Sequence, residues 1–275
     1  PGVKFPNNLT VTSSPEQVTV GVDMTLIAVP SRSFRENIQT IEPFSNARSL
    51  IVSATKGLEV GTSKRMSEIL TEELGLNGVC VLSGPNLAKE IYENKTTSTV
   101  IASKNLNLLN NIKAIIESNK FKIYLSEDTI GVELGGALKN IVTLGAGICD
   151  GLKIGNNLKG AFISIAFSEI VKLALSTGAQ SVTISGLSGL GDTLASSYSP
   201  FSRNRLAGQY LAEGYSINII NKKINNIIEG LDTLYGAKAL SEKLNIDHEF
   251  IDLLIDVFNQ TKHPNDLLRN TIGNI

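Results

Sequence analysis

Asp128-Thr-Ile-Gly-Val-Glu-Leu-Gly-Gly-Ala-Leu-Lys-Asn140, running on through an apolar stretch to Asp150, Gly151, Asn157 and Gly160, is the segment around which the chain is organised. Its apolar pattern is helical, yet it contains Gly131, Gly135, Gly136, Gly145 and Gly147. Each glycine weakens a helix by about 1 kcal/mol relative to alanine. A helix that carries this cost is packed closely against a neighbour or has a ligand beside its backbone. Lys139 and Asn140 sit in the middle, flanked by Ala137, Leu138, Ile141 and Val142. A lysine there either snorkels to water along its apolar stem or is held at a site. This stretch alone leaves both open.

Upstream of it, strand and helix patterns alternate with short connections. Residues 24–29, 49–54, 79–82, 97–103 and 121–125 are apolar runs of strand length, and 9–12 reads as a further short strand. The unbroken apolarity of 24–29 predicts a strand buried on both faces of a parallel sheet. Helices are expected from Ser14-Pro15, a capping serine with proline at the first helical position, and over 34–44, 64–74 and 106–118. Residues 1–8 read as loop. This is the pattern of an open α/β sheet built from βαβ units. Such sheets bind ligands beyond the carboxyl ends of their strands. Polar groups fall at three of those ends: Ser31, Lys56 and the turn Gly84-Pro85-Asn86.

After Ser126 the pattern becomes nearly all helix: 131–149, 157–176, 201–212, 217–224, 231–244 and 249–259. The expected architecture is therefore an α/β domain over 1–126 followed by an all-α domain over 127–275. No Pro/Gly/Ser linker separates them, so the two are expected to pack tightly.

Composition narrows the function classes. The chain has 275 residues, 42% hydrophobic and 19% charged, with a formal net charge of −1. That balance gives no electrostatic case for binding nucleic acid or an anionic membrane. Residues 161–175 are apolar but interrupted by Glu169 and Lys172, which reads as a buried core helix and not a membrane span. Cys80 and Cys149 lie in apolar runs and read as reduced buried thiols of a cytosolic protein. His248 and His263 are too few and too isolated to suggest a metal site.

A second informative stretch is Ser185-Gly-Leu-Ser-Gly-Leu-Gly-Asp192-Thr, followed by Ser199-Pro-Phe-Ser-Arg-Asn-Arg205. The glycine spacing is wrong for a dinucleotide fingerprint, and the run reads as a tight loop presenting Asp192. Ser199 and Pro200 predict a helix that starts at Phe201. Its free N–H groups, its positive end and Arg203 suit a phosphate. A capped surface helix with solvated arginines fits this stretch equally well.

These residues together resemble the bacterial-type NAD(P)-dependent glycerol-3-phosphate dehydrogenase family. The carriers are Ala54-Thr55-Lys56-Gly57, Ser83-Gly84-Pro85, Gly131 to Asn140, Gly189-Leu190-Gly191-Asp192, Ser199 to Arg205 and Glu229-Gly230, in the family's order. The resemblance implies a Rossmann-like domain, a helical substrate domain, NAD or NADP as cofactor, and a small phosphate ester, dihydroxyacetone phosphate or sn-glycerol 3-phosphate, as substrate. It also implies a cytoplasmic homodimer that supplies phospholipid synthesis. Lys139 falls on the family's catalytic lysine, a proton donor in reduction and an acceptor in oxidation. Its partners would be Lys56, touching substrate and cofactor, and Asp192, orienting substrate or lysine. Substrate contacts fall on Lys56, Gly84, Asn86, Lys139, Asp192, Ser202, Arg203 and Asn204. Cofactor contacts fall on Lys56, Ala88, Arg203 and Glu229.

There are two departures from the family. Asn86 stands where the family usually has Ser or Thr. No G-x-G-x-x-G occurs in the 275 residues. Against the family, about 50 residues are missing before Pro1, enough for the first βαβ unit and its phosphate-binding turn. The expected dinucleotide-binding domain is thus a truncated one, without the residues that set NAD against NADP preference. Two readings share every residue: an active dehydrogenase whose sequence is incomplete here, or a degenerate homologue unable to hold NAD(P) that serves as an oligomer partner. A ketopantoate-type dehydrogenase of the same two-domain plan fits the Ser199 to Arg205 block less well.

Overall fold

The computed structural model describes residues 5–45, 49–76, 78–225 and 227–273. The first four residues of the expected loop over 1–8 lie outside this set. Five strands form one sheet in the order β1-β2-β3-β4-β5: Met24–Ile27, Leu50–Ser53, Cys80–Ser83, Thr97–Ala102 and Phe121–Ser126. The first three are mutually parallel, and so are β4 and β5. β4 runs antiparallel to β3, with Leu82 opposite Ile101. The sheet is therefore mixed and not built only of βαβ units. Between β3 and β4 lies only the five-residue helix α4 (Ala88–Tyr92), and the chain turns back instead of crossing over. Residues 9–12 form no strand. Among the described residues they pair with none of the five strands.

β2 and β3 are buried on both faces, but Leu26 in β1 is 48% exposed. In this sheet β1 is an edge strand. One face packs under α2 (Phe34–Ile41) and α3 (Met66–Leu74), through Phe34, Ile38, Ile69 and Leu70. The other packs under α5 (Leu106–Ile116), through Leu109 and Ile112. The first helix, α1 (Pro15–Thr19), is capped as expected, with the Ser14 side chain accepting from Gln17 N–H. The predicted helix over 34–44 ends at Ile41 and closes as a 3₁₀ turn over Glu42–Phe44, where Pro43 cannot donate to the ladder.

The helical half follows. It comprises α6 (Thr129–Gly151), α7 (Asn156–Ser176), α8 (Ser181–Ile184), α9 (Asp192–Tyr198), α10 (Arg203–Ala212), α11 (Ile217–Ile224), α12 (Glu229–Leu244), α13 (Glu249–Phe258) and α14 (Pro264–Ile272). α14 carries a capping box between His263 and Asp266 that the periodicity did not single out. Two further corrections concern the 185–205 region. The glycine run, expected as a tight loop, is a π-helical turn, Leu187–Gly191. The helix after Ser199-Pro200 starts at Arg203, with Ser202 as the capping residue. Ser199 instead accepts from Phe201 N–H in a turn.

α6 is the axis of this half. It is long and apolar enough to cross a membrane by length and composition, but 94% of that window is buried within the fold. Every residue over 134–149 is buried. α10 crosses it at backbone contact. A Cβ on Gly147 would lie 1.9 Å from the Arg205 carbonyl oxygen, and one on Gly208 would lie 1.9 Å from that of Leu144. The glycines that cost α6 intrinsic helicity are thus paid back as interhelical contact. Cys80 and Cys149 are free and buried, and burial pushes their thiols up to about 11 and about 12.

Two glycine substitutions separate these effects. Gly208→Ala forces the helices apart and lowers unfolding free energy by about 1–3 kcal/mol in urea titrations. Gly160→Ala in α7 meets nothing within 4 Å and raises it by about 0.5–1 kcal/mol. Equal effects of the two would rule out close approach as the reason for the glycines.

Candidate active site

The carboxyl ends of β1, β2 and β3 open onto a cavity of about 370 Å³ whose opposite wall is helical. Ala28 and Val29 follow β1, Ala54 to Lys56 follow β2, and Asn86 to Lys89 follow β3. From the other side come Lys139 and Asn140 of α6, Asp192 and Ser196 of α9, residues 201–204, and Glu229 at the start of α12.

Lys139 does not snorkel: it is 7% exposed and held at the cavity. Its Nζ donates to Asp192 Oδ1 at 2.9 Å and to Ser196 Oγ at 2.7 Å. Lys56 Nζ donates to the other oxygen of the same carboxylate, Asp192 Oδ2, at 2.6 Å, and to the Gly84 carbonyl at 2.9 Å. Ser196 Oγ donates to Asp192 Oδ1 at 3.0 Å, one helical turn away on α9. A primary ammonium has three N–H donors. Each lysine spends two on these partners, which leaves one N–H per lysine for a ligand.

The charges decide the protonation states. Burial lowers the pKa of Lys139, the Asp192 carboxylate opposes that, and the like charge of Lys56 adds to it; the net direction is down from the ordinary 10.5. Burial pushes the Asp192 carboxyl up, but the ammonium groups of Lys139 and Lys56 and their hydrogen bonds outweigh it, and the carboxyl stays below its usual range. Asp192 is therefore ionised. Two ammonium groups share one carboxylate, so the cavity floor carries a net positive charge suited to an anion or a developing alkoxide.

Glycines bring these groups together. A Cβ on Gly136 would lie 2.1 Å from Ser83 Oγ at the end of β3, and one on Gly135 would lie 3.0 Å from the Gly189 backbone nitrogen. The pair lets the sheet and the π-helical turn both reach α6 just before Lys139, which places Lys56 and Asp192 beside it. Glu133, on the same helix, lies away from the cavity. Its carboxylate accepts from Arg65 and from Ser67 N–H and ties α6 to α3.

Lys56, Asn86, Ala88, Lys139, Asp192, Ser202, Arg203, Asn204 and Glu229 all line the one cavity. Gly84 contributes its carbonyl to Lys56 without lining the wall. Ser31 does not join them: it is buried against Gly57, where an added Cβ would come within 2.5 Å of its Oγ. Asn204 Oδ1 accepts from Gly230 N–H at 3.1 Å, so the 202–204 turn is fixed to the helix that carries Glu229. Asn140 stands beside Lys139 in the sequence without a role assigned to it, and Ser196 is marked by no motif. Asn140 Nδ2 is buried with no partner among the described residues, and it lines the cavity beside Lys139. The available signals were its place next to Lys139 and the i, i+4 spacing of Ser196 from Asp192.

Comparison with known proteins identifies the family. The family model described as NAD-dependent glycerol-3-phosphate dehydrogenase C-terminus matches residues 128–269, and its N-terminus counterpart matches 1–109. A glycerol-3-phosphate dehydrogenase [NAD(P)+] of Dehalococcoides mccartyi is 41% identical over 268 residues, 96% of this chain and 75% of the relative. The crystal structure of glycerol-3-phosphate dehydrogenase from Coxiella burnetii superposes with a TM-score of 0.95 at 32% identity, covering 100% of this chain and 84% of that one. A ketopantoate reductase structure from Ralstonia eutropha shares the fold alone, at 15% identity and a TM-score of 0.56 over 94% of this chain and 80% of that one. Family models, relatives and fold agree, and the chain belongs to the NAD-dependent glycerol-3-phosphate dehydrogenase family.

Proposed function

We propose that this chain interconverts dihydroxyacetone phosphate and sn-glycerol 3-phosphate, with Lys139 moving the proton. The observation that carries the reading is the sharing of Asp192 between Lys139 and Lys56 in a cavity that also holds Ser202, Arg203 and Asn204. Lys139 spends two of its three N–H donors on Asp192 and Ser196, and the third is available to a ketone oxygen. Reduction turns that oxygen into a hydroxyl, with Lys139 giving the proton; oxidation returns it. Lowering the Lys139 pKa from 10.5 moves it toward the operating pH, where an acid–base group works best in both directions. Lys56 neutralises charge developing on the substrate oxygen and keeps Asp192 ionised. Ser202, Arg203 and Asn204 take the phosphate end.

The residues present fit the nicotinamide end of the cofactor. Ala28, Ala54 and Ala88 give the cavity a wall of small apolar side chains. Asn86 Oδ1 is a buried acceptor with no partner among the described residues, and it lines the same cavity. Asn86 Nδ2 is held by Thr99 Oγ1 at 2.8 Å, which fixes the orientation of that acceptor. A carboxamide N–H or a substrate hydroxyl satisfies it, a role open to asparagine in place of Ser or Thr. The nicotinamide, when bound, supplies or accepts the hydride. Glu229 and Arg203 lie on the cofactor side of the same reading. The family resemblance further supports a cytoplasmic homodimer acting toward phospholipid synthesis, with NAD or NADP as cofactor.

Three outcomes check this. Wild-type protein oxidises NADH or NADPH when dihydroxyacetone phosphate is added, and Lys139→Ala lowers kcat about 10²–10⁴-fold with the fold intact by circular dichroism. Near-normal turnover in that variant removes Lys139 from the proton step. The second outcome is a pH profile. Reduction needs protonated Lys139, so kcat/KM falls as pH rises through a value below 10.5. Asp192→Asn removes the charge that raises this value and moves the limb down. Lys56→Met removes a like charge and moves it up. Shifts of the same sign would contradict the shared-carboxylate arrangement. Third, Arg203→Ala raises the KM for dihydroxyacetone phosphate about 10–100-fold, the loss of one charge-assisted hydrogen bond, and an unchanged KM would take Arg203 away from the phosphate.

A further inference from the structure

Behind the cavity lies a second cluster of charge, in which Lys159 is buried and Asp150 and Arg205 are half-buried. Asp150, next to last in α6, accepts from Lys159 Nζ at 2.8 and 2.9 Å and from Arg205 Nη1 at 2.5 Å. None of the three lines the cavity. Lys159 is 4% exposed and sits in the first turn of α7, the end of a helix least favourable to a cation. A buried ion pair is weak evidence of a stability role, because apolar replacements often serve the fold as well. Its placement is explained by what else the two cations touch.

Lys159 Nζ donates to the Ser197 carbonyl at 2.8 Å and stands 4.5 Å from the Tyr198 ring. Arg205 Nε donates to the Ser199 carbonyl at 2.8 Å. These carbonyls belong to the last turn and C-cap of α9, where helical carbonyls lack intrahelical partners and cations are favoured. The same short helix presents Asp192, its first residue, and Ser196, next to Ser197, to Lys139. The turn beyond it leads directly to Ser202, Arg203 and Asn204. The Arg205 carbonyl rests on Gly147 of α6, which anchors the clamp to the helix that carries Lys139.

We propose that Asp150, Lys159 and Arg205 are positioning residues that fix the 197–199 backbone, and through it set the phosphate-binding turn at 202–204 relative to Lys139. This rests on the functional reading above for the identity of the ligand. The geometry of the clamp does not depend on that reading. The cluster acts only through others, since α7 contributes no side chain to the cavity.

The test is Lys159→Met in the full chain. It keeps the apolar stem and leaves Asp150 and Arg205 as a neutral pair, so no unpaired buried charge drives unfolding. The expected result is a KM for dihydroxyacetone phosphate raised about tenfold, as for a small misplacement of a binding group. kcat changes less than twofold, and the slow reaction of unphosphorylated dihydroxyacetone is unaltered. Hydrogen exchange is expected to rise over 197–204 and to stay unchanged over 134–149. A merely structural role would lower rates with both substrates and loosen α6 and α9 alike, and that outcome overturns the proposal. So does unchanged exchange at 197–204. If wild-type protein fails to turn over dihydroxyacetone phosphate, the functional reading fails, while the exchange pattern still decides the clamp.

Discussion

The site depends on one carboxylate held by two ammonium groups. Asp192 sits in a place too dry for a lone ion, and it stays charged because Lys139 and Lys56 each bond one of its oxygens. Lys139 could not be buried beside Lys56 without it: two like charges in a low-dielectric cavity repel far more strongly than in water. Desolvation consumes much of the attraction, so this triad does not make the fold more stable. What it provides is a fixed pair of cations with unspent N–H donors, in a protein whose remaining surface is close to electrically balanced.

The arrangement is possible because α6 gives up side chains. Lys56 arrives at the end of β2, Asp192 at the start of α9 and Lys139 from the middle of a buried helix. Three elements meet within hydrogen-bonding distance only if their backbones approach closely. Gly135 and Gly136 create that room on the cavity side, and Gly147 with Gly208 creates it where α10 crosses. Local helix propensity is sacrificed along the helix that α9, α10, α12 and β3 all pack against. The Asp150 cluster lies one turn beyond Gly147, where cations satisfy the carbonyl ends of α9 and join the 202–204 turn to the same axis.

Much of this was legible in the chain. Strand-length apolar runs and amphipathic segments gave most element positions to within a few residues, because burial imposes its period on the sequence. The blocks around Lys139 and around Ser199 to Arg205 pointed to the residues that line the cavity. Errors fell where local signals competed. Ser199-Pro200 and Ser202 are both acceptable helix starts, and the later one is used because Arg205 reaches back to the Ser199 carbonyl and to Asp150. The glycine run before Asp192 reads as a loop by composition, but it winds into a π-helical turn packed on Gly135. Ser31 has the strand-end position of a ligand contact and is instead turned into the packing against Gly57.

By itself the sequence determined the class of fold, the succession of elements and the identity of the chemical groups, since periodicity, capping residues and motif composition are written locally. It left open whether Lys139 lay in water or in a site, and it did not reveal that Ser196 and Asn140 join it or that β4 runs against β3. Those outcomes depend on which backbones come into contact far along the chain, across 57 positions for Lys139 and Ser196. A helix period says which face is apolar, but not what will press against it. Only the tertiary structure placed one carboxylate between two lysines, and that contact turns three separate polar residues into a site.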